Sequence, residues 1–250
     1  MKIGTNALMQ NDKINKAIIM SLATELSQAV KKGTEVILVT SGAIGFGIEK
    51  MKKRFPKDTE TRQAMAAIGQ NLLMHEYEKA FKKHGQVIAQ VLLTPGVFTN
   101  HGALSNLDST LGKLFEMKVI PIINENDVIA IDALSEEKPF SDNDGLAAVM
   151  AINFQANLMI LLTDVDGFFT ENPKENHRAE KIRNLRELIS KGMVHGQKSK
   201  YGLGGVKSKI LAVQKVIEHG VSVAVCKARK GAVMDVLTNN GSGSFFEASK

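Results

Sequence analysis

Residues 35–47 read EVILVTSGAIGFG. The first six, Glu35–Thr40, are short, β-branched and nearly all apolar, the pattern of a strand covered on both faces. Beyond them the chain turns to small residues: Ser41, Gly42, Gly45 and Gly47. Residues of that size let backbone N–H groups approach an anion at a helix start. The spacing fits neither the GxxxxGK motif of P-loops nor the GxGxxG of dinucleotide folds. A glycine-rich turn with no ligand explains this stretch about as well on its own.

The same alternation extends outward. Gln86–Leu93, Lys118–Ile123, Leu158–Thr163 and Val221–Cys226 read as further buried strands. Between them, Ile14–Lys32, Glu60–His84, Leu104–Met117 and Val206–His219 repeat their apolar residues at helical spacing. Gly33 stands where a helix C′ glycine belongs. Strand, helix, strand in turn predicts an α/β fold, an open three-layer α/β/α sandwich around a mostly parallel central sheet. No repeat or linker interrupts it, so residues 1–250 are expected to form one domain.

Composition narrows the function classes. Hydrophobic residues make up 44% and charged residues 23% of the chain, as in globular proteins. There is neither an apolar run long enough for a bilayer nor a signal-peptide pattern, so no membrane partner is expected. Cys226 is the single cysteine and reads as a buried thiol; with no disulfide available, the cytoplasm is the expected location. The net charge of +6 comes from lysines scattered over helix faces, with few aromatics among them. That argues against nucleic acid and leaves small anions as partners. The six histidines show no paired metal spacing and read as surface or packing residues.

Other stretches carry candidate chemistry. Lys2 lies beside Gly4 at the end of a short apolar start. In YGLGGVKSK, residues 201–209, Gly202, Gly204 and Gly205 open a helix with Lys207 and Lys209 in its first turn. The helix dipole disfavours cations there, which makes sense if an anion sits there too. Thr163 and Asp164 end a strand. Two acid-amide clusters remain, Asn124–Asp127 and Asp142–Asp144. Such clusters can bind a metal, hold an ammonium group or decorate a solvated loop.

Seven pieces, in order, give these alternatives a context: KIGTNAL, VILVTSGAIGFG, AAIGQNLL, VIPIINENDVIA, SDNDGLAA, LLTDVDGFFTENP and GLGGVKSK. Together they resemble the amino-acid kinase family over nearly the whole chain. INEND followed by DND selects, within it, the branch that phosphorylates L-glutamate. The resemblance implies ATP-dependent phosphorylation of the glutamate γ-carboxylate, the first step of proline synthesis. By the same resemblance Ser41, Gly42, Asn124, Asp127 and Asn143 hold glutamate, Asp127 pairing with its ammonium group. Asp144 orients two catalytic lysines, Lys2 and Lys209. Thr163, Asp164, Gly202, Gly204, Gly205 and Lys207, with the same two lysines, address the nucleotide. Mg²⁺ is expected to be held mainly by the nucleotide phosphates, with no protein metal site. A homo-oligomer and feedback inhibition by proline are also implied.

The chain departs from the family pattern in places. Only Met1 precedes Lys2, too few residues for a usual strand, so Lys2 is expected to be poorly held unless the natural chain is longer. Leu203 and Val206 stand where many members have TGGM, which loses a hydroxyl near the phosphates. NLDSTL, residues 106–111, replaces NARNTL, and a structural or oligomer-contact role is expected there. No C-terminal PUA domain, the RNA-binding-like appendage of many members, is expected after Lys250.

Overall fold

A computed structural model describes residues 1–10, 13–130, 139–140, 142–171, 176, 178–184, 187–188, 206–240 and 243–248. In chain order the strands are β1 (Lys2–Ile3), β2 (Met9–Gln10), β3 (Lys13–Ile14), β4 (Leu38–Val39), β5 (Ile88–Leu93), β6 (Ile120–Glu125), β7 (Leu158–Thr163), β8 (Ser222–Lys227) and β9 (Ser244–Phe246). The helices are α1 (Thr5–Leu8), α2 (Lys16–Lys31), α3 (Ala43–Met51), α4 (Thr59–Lys82), α5 (His101–Glu116), α6 (Asn143–Asn153), α7 (Val206–Glu218) and α8 (Ala232–Leu237). A 3₁₀ turn spans Pro95–Phe98. Packing divides the chain into two compact units, Met1–Asn6 with Phe140–Lys250, and Ala7–Pro139.

In the unit Ala7–Pro139, β5–β6–β4 run parallel, and β2 and β3 pair antiparallel. The strand expected at Glu35–Thr40 forms a ladder only at Leu38–Val39, opposite Ile122 and Ile123. Burial sets that limit: Glu35 is exposed, and full burial begins at Leu38. The strand expected at Lys118–Ile123 lies two residues later. Lys118 takes a left-handed φ of 56°, which fits a turn after α5, and pairing with β5 carries on to Glu125. β5 itself is not covered on both faces, since Gln90 and Leu92 are exposed.

Caps move the helix starts. The Asp58 carboxylate accepts the Thr61 N–H at 2.8 Å and begins α4. Asn100 does the same for Ala103 at 2.9 Å, so α5 starts at His101 rather than Leu104. Each such cap stabilises a helix by about 1 kcal/mol. Gly33, with φ of 90°, terminates α2 as expected.

The other unit orders its strands β1–β7–β8–β9, parallel except for β9. β7 has the expected bounds, whereas β8 is shifted by one residue. β1 has only two residues, with Lys2 opposite Leu161 and Ile3 opposite Leu162. It is nonetheless tied down, because Ile3 is fully buried and the Gly4 N–H donates to Leu162 O. Cys226 is buried, as its apolar setting suggests. Both units are α/β with mostly parallel strands, the expected fold class. Among the described residues no helix is long and apolar enough to cross a membrane.

Candidate active site

One carboxylate organises the unit that contains β1. Asp142 caps α6 by accepting the Gly145 N–H at 2.8 Å. That places Asn143 and Asp144 in the first helical turn. A side chain at Gly145 would press on Phe140, with a Cβ only 3.0 Å from Phe140 Cβ. Asp144 Oδ1 lies 2.7 Å from Lys2 Nζ and Oδ2 lies 2.7 Å from Lys209 Nζ. The Asp144 side chain is 1% exposed, Lys2 7% and Lys209 20%. Lys2 is therefore firmly held, against the expectation from its short strand.

Burial alone would push the Asp144 carboxyl upward, but the two ammonium groups overcome it and hold it below the ordinary carboxylate range. Its place at a helix N-terminus is favourable as well. For Lys2 burial wins: it draws the ammonium below the usual lysine value, Asp144 opposes, and the like charge of Lys209 adds to the lowering. Lys209 sits in the first turn of α7, where the dipole is unfavourable. Asp144 is an anion that the chain itself supplies to offset this.

An ammonium group has three donors; Lys209 commits one to Asp144 Oδ2, and Lys2 meets Oδ1 as an ion pair. The donor set therefore suits additional anionic oxygens such as those of a phosphate. The backbone above Lys2 carries no side chain, because the neighbour is Gly4, whose Cβ would lie 3.3 Å from the ammonium.

The remaining candidates of this unit are spread out. Thr163, 8% exposed, ends β7, and its hydroxyl donates to Asp164 at 3.2 Å. Asn143 is half-buried and Lys207 exposed. Gly202, Gly204 and Gly205, with Leu203, lie outside the described residues.

In the unit Ala7–Pro139, Ser41, Gly42 and Asn124 leave from the carboxyl ends of two neighbouring strands, the usual ligand side of such sheets. The Thr40 N–H donates to Ile123 O at 2.8 Å and extends the ladder by one bond. Gly42 begins α3 with φ of 103°, a conformation that favours glycine. Ser41 is 8% exposed. Asn124 is 1% exposed and donates from Nδ2 to Gln70 Oε1 at 2.9 Å. Asp127 is half-buried in the turn after β6.

Helix α4 underlies this region. A Cβ on Gly69 would fall 1.8 Å from Ala43 O, and one on Gly47 2.0 Å from Met65 O. Glycine at both positions lets α3 and α4 touch backbone to backbone. Two turns along, the buried Tyr77 hydroxyl meets Thr40 Oγ1 at 2.8 Å. Burial pushes the Tyr77 phenol pKa up, and the Thr40 bond opposes it only in part.

Sequence reasoning gave Asp142, Gln70 and Tyr77 no role of their own. A carboxylate three residues before a glycine, at the head of an apolar run, was a usable cap signal for Asp142. Gln70 lies in AAIGQNLL, a piece that carries the family resemblance but was given no role, and Tyr77 gave no signal. Among the described residues no three His, Cys, Asp or Glu side chains gather as a metal ion would need.

Parallel α/β units with polar candidates at the strand ends define a class of ligand-binding α/β proteins. A model of the amino acid kinase family matches residues 1–227, and the chain belongs to that family. It is 37% identical over 251 residues to a glutamate 5-kinase of Ligilactobacillus salivarius, covering 98% of this chain and 94% of that protein. A glutamate 5-kinase of Clostridium perfringens is 34% identical over 255 residues, covering 100% and 95%. A glutamate 5-kinase of Prochlorococcus marinus is 36% identical over 253 residues, and there the match covers 98% of this chain but 69% of the relative. Among solved structures, the T. acidophilum isopentenyl phosphate kinase product complex has a TM-score of 0.65 at 15% identity, with 98% of each chain covered. That likeness is one of fold.

Proposed function

We propose that this protein transfers the γ-phosphoryl group of ATP to the side-chain carboxylate of L-glutamate, giving L-glutamyl 5-phosphate and ADP, the first step of proline synthesis. The observation that carries the reading is the pair of ammonium groups, Lys2 and Lys209, each 2.7 Å from one oxygen of the buried Asp144. The glutamate 5-kinase relatives support the choice of substrate.

The acceptor carboxylate is ionised near neutral pH and needs no general base. One of its oxygens forms the new bond to the γ-phosphorus. The bond from that phosphorus to the bridging oxygen breaks, and ADP leaves with the electron pair. Positioning and charge neutralisation are what such a transfer needs. Lys2 and Lys209 meet the charge on the transferring group, and Asp144 holds both ammonium groups in place. Asp127 pairs with the substrate ammonium, while Ser41, Gly42, Asn124 and Asn143 address its carboxylates. Thr163, Asp164, Lys207 and the glycines Gly202, Gly204 and Gly205 contact the nucleotide. Mg²⁺, held by the nucleotide phosphates, would supply further neutralisation. The reading also includes a cytoplasmic setting, self-association and inhibition by proline, which the family resemblance implies.

The test is incubation with MgATP, hydroxylamine and, in turn, glutamate, aspartate and N-acetylglutamate. Hydroxamate from glutamate is expected. Hydroxamate from another acid alone moves the substrate assignment, and none from any acid with bound nucleotide makes the protein a binding module.

A further inference from the structure

Asn124 is held in one orientation by two bonds. Its Oδ1 accepts the Glu125 backbone N–H at 3.0 Å. A backbone N–H can only donate, so this contact fixes which end of the amide is oxygen. Nδ2 is thereby turned toward α4, where it donates to Gln70 Oε1 at 2.9 Å. Gln70 is 9% exposed, and its own Nε2 is buried without a hydrogen-bond partner among the described residues. A buried, half-satisfied amide is costly. Methionine would fill the same space without that cost, so packing alone does not account for a glutamine here.

The neighbouring residue strengthens the case. Gly69 brings the same turn of α4 against Ala43 O and Gly47 N of α3, the helix that begins just after Ser41 and Gly42. One turn of α4 thus sets the backbone behind one substrate-side candidate and the side chain of another.

We infer that Gln70 is a positioning residue for the acidic substrate, acting through Asn124. With the Glu125 N–H it anchors the Asn124 amide at both ends, so losing it leaves one contact alone to set the direction of the Nδ2 hydrogens. This inference rests on the glutamate reading above.

The test compares Gln70→Met with wild type, alone and in an Asn124→Ala background. Gln70→Met is expected to raise the KM for glutamate about tenfold, with kcat and the KM for ATP within about twofold. In the Asn124→Ala background it should add nothing, since the residue it acts through is gone. Gln70→Glu keeps an acceptor for Nδ2 whether or not its carboxyl is ionised. Its glutamate KM should therefore stay within about threefold of wild type at about pH 6. An unchanged KM in Gln70→Met, or an equal effect in both backgrounds, would overturn the inference. If Gln70→Met does not fold, a glutamate KM raised tenfold in Gln70→Glu overturns it by itself. A wild type inactive on glutamate is a failure of the functional reading. An active wild type beside a Gln70→Met of unchanged KM is a failure of this inference alone.

Discussion

The two units stabilise their candidate residues by opposite means. Around Asp144 the contacts are between full charges: two ammonium groups on one carboxylate, with the carboxylate almost wholly buried. In Ala7–Pro139 they are neutral: an amide on an amide, a hydroxyl on a phenol, and glycines at a helix crossing. Charges suit the place where, on the proposed reading, phosphate charge moves. On the same reading, neutral donors suit a place that recognises carboxylates, with Asp127 as the acceptor for the ammonium group. Loss of one member should therefore be severe in the first case and graded in the second.

Asp144→Asn attacks the charged side most directly. It leaves Lys2 buried without its counter-charge, and breaking such a pair costs about 3–5 kcal/mol. We expect a loss of that order in urea unfolding and a fall in kcat of about 10³. The pH dependence sharpens the point. The Asp144 pKa is depressed in the folded state. Its stabilisation is thus fully present above the unfolded carboxylate value, near 4, and is lost as pH falls through the lower folded value. The variant should lack this acid limb; identical acid limbs would remove Asp144 from the centre of the site.

Lys209→Met should cut kcat by about 10²–10³, with smaller changes in either KM. Its stability should fall less than that of Asp144→Asn, because Lys209 is the more exposed partner and Lys2 still meets the carboxylate. Arginine should rescue poorly, since a planar fork does not replace a compact ammonium. A kcat within a few-fold of wild type would show that Lys209 is only a solvated helix residue.

On the neutral side the effects on turnover shrink. Gly69→Ala must force α3 and α4 apart, which we expect to cost about 1–3 kcal/mol and to raise the glutamate KM more than it lowers kcat. An unchanged melting temperature would mean that the crossing yields easily. Tyr77→Phe should cost about 0.5–1.5 kcal/mol. The lower end is expected because the Thr40 hydroxyl still reaches Ser41 O at 3.2 Å. Activity should stay within twofold; a larger loss would mean that Tyr77 also shapes the loop at Ser41.

The same contrast governs what the sequence made legible. The buried strand Leu158–Thr163 was read to the residue, because it is apolar up to its last position and no cap intervenes. Helix α6 was missed altogether. Its signal is one capping aspartate inside a cluster that invited a chemical interpretation. The bond between Gln70 and Asn124 joins residues far apart in sequence, and local periodicity holds no trace of such a pairing. Lys2, Lys209 and Asp144 were singled out by family resemblance together with the oddity of cations at a helix start. Their mutual distances follow only from the strand register and the caps. Lys2 looked poorly anchored because strand length was the only guide; burial and Asp144 do the anchoring instead.

Ala7–Pro139 is one uninterrupted piece of chain, whereas its companion joins Met1–Asn6 to residues after Phe140. On the ribosome the uninterrupted piece is complete before Asp144 has been made, and domains generally fold as units while synthesis continues. Lys2 must meanwhile stay hydrated and unpaired. Closing so long a loop costs little more than closing one of half the length, so the delay is one of sequence order rather than of energy. A lysine synthesised ahead of an entire folding unit is expected to be among the last residues to reach its partners.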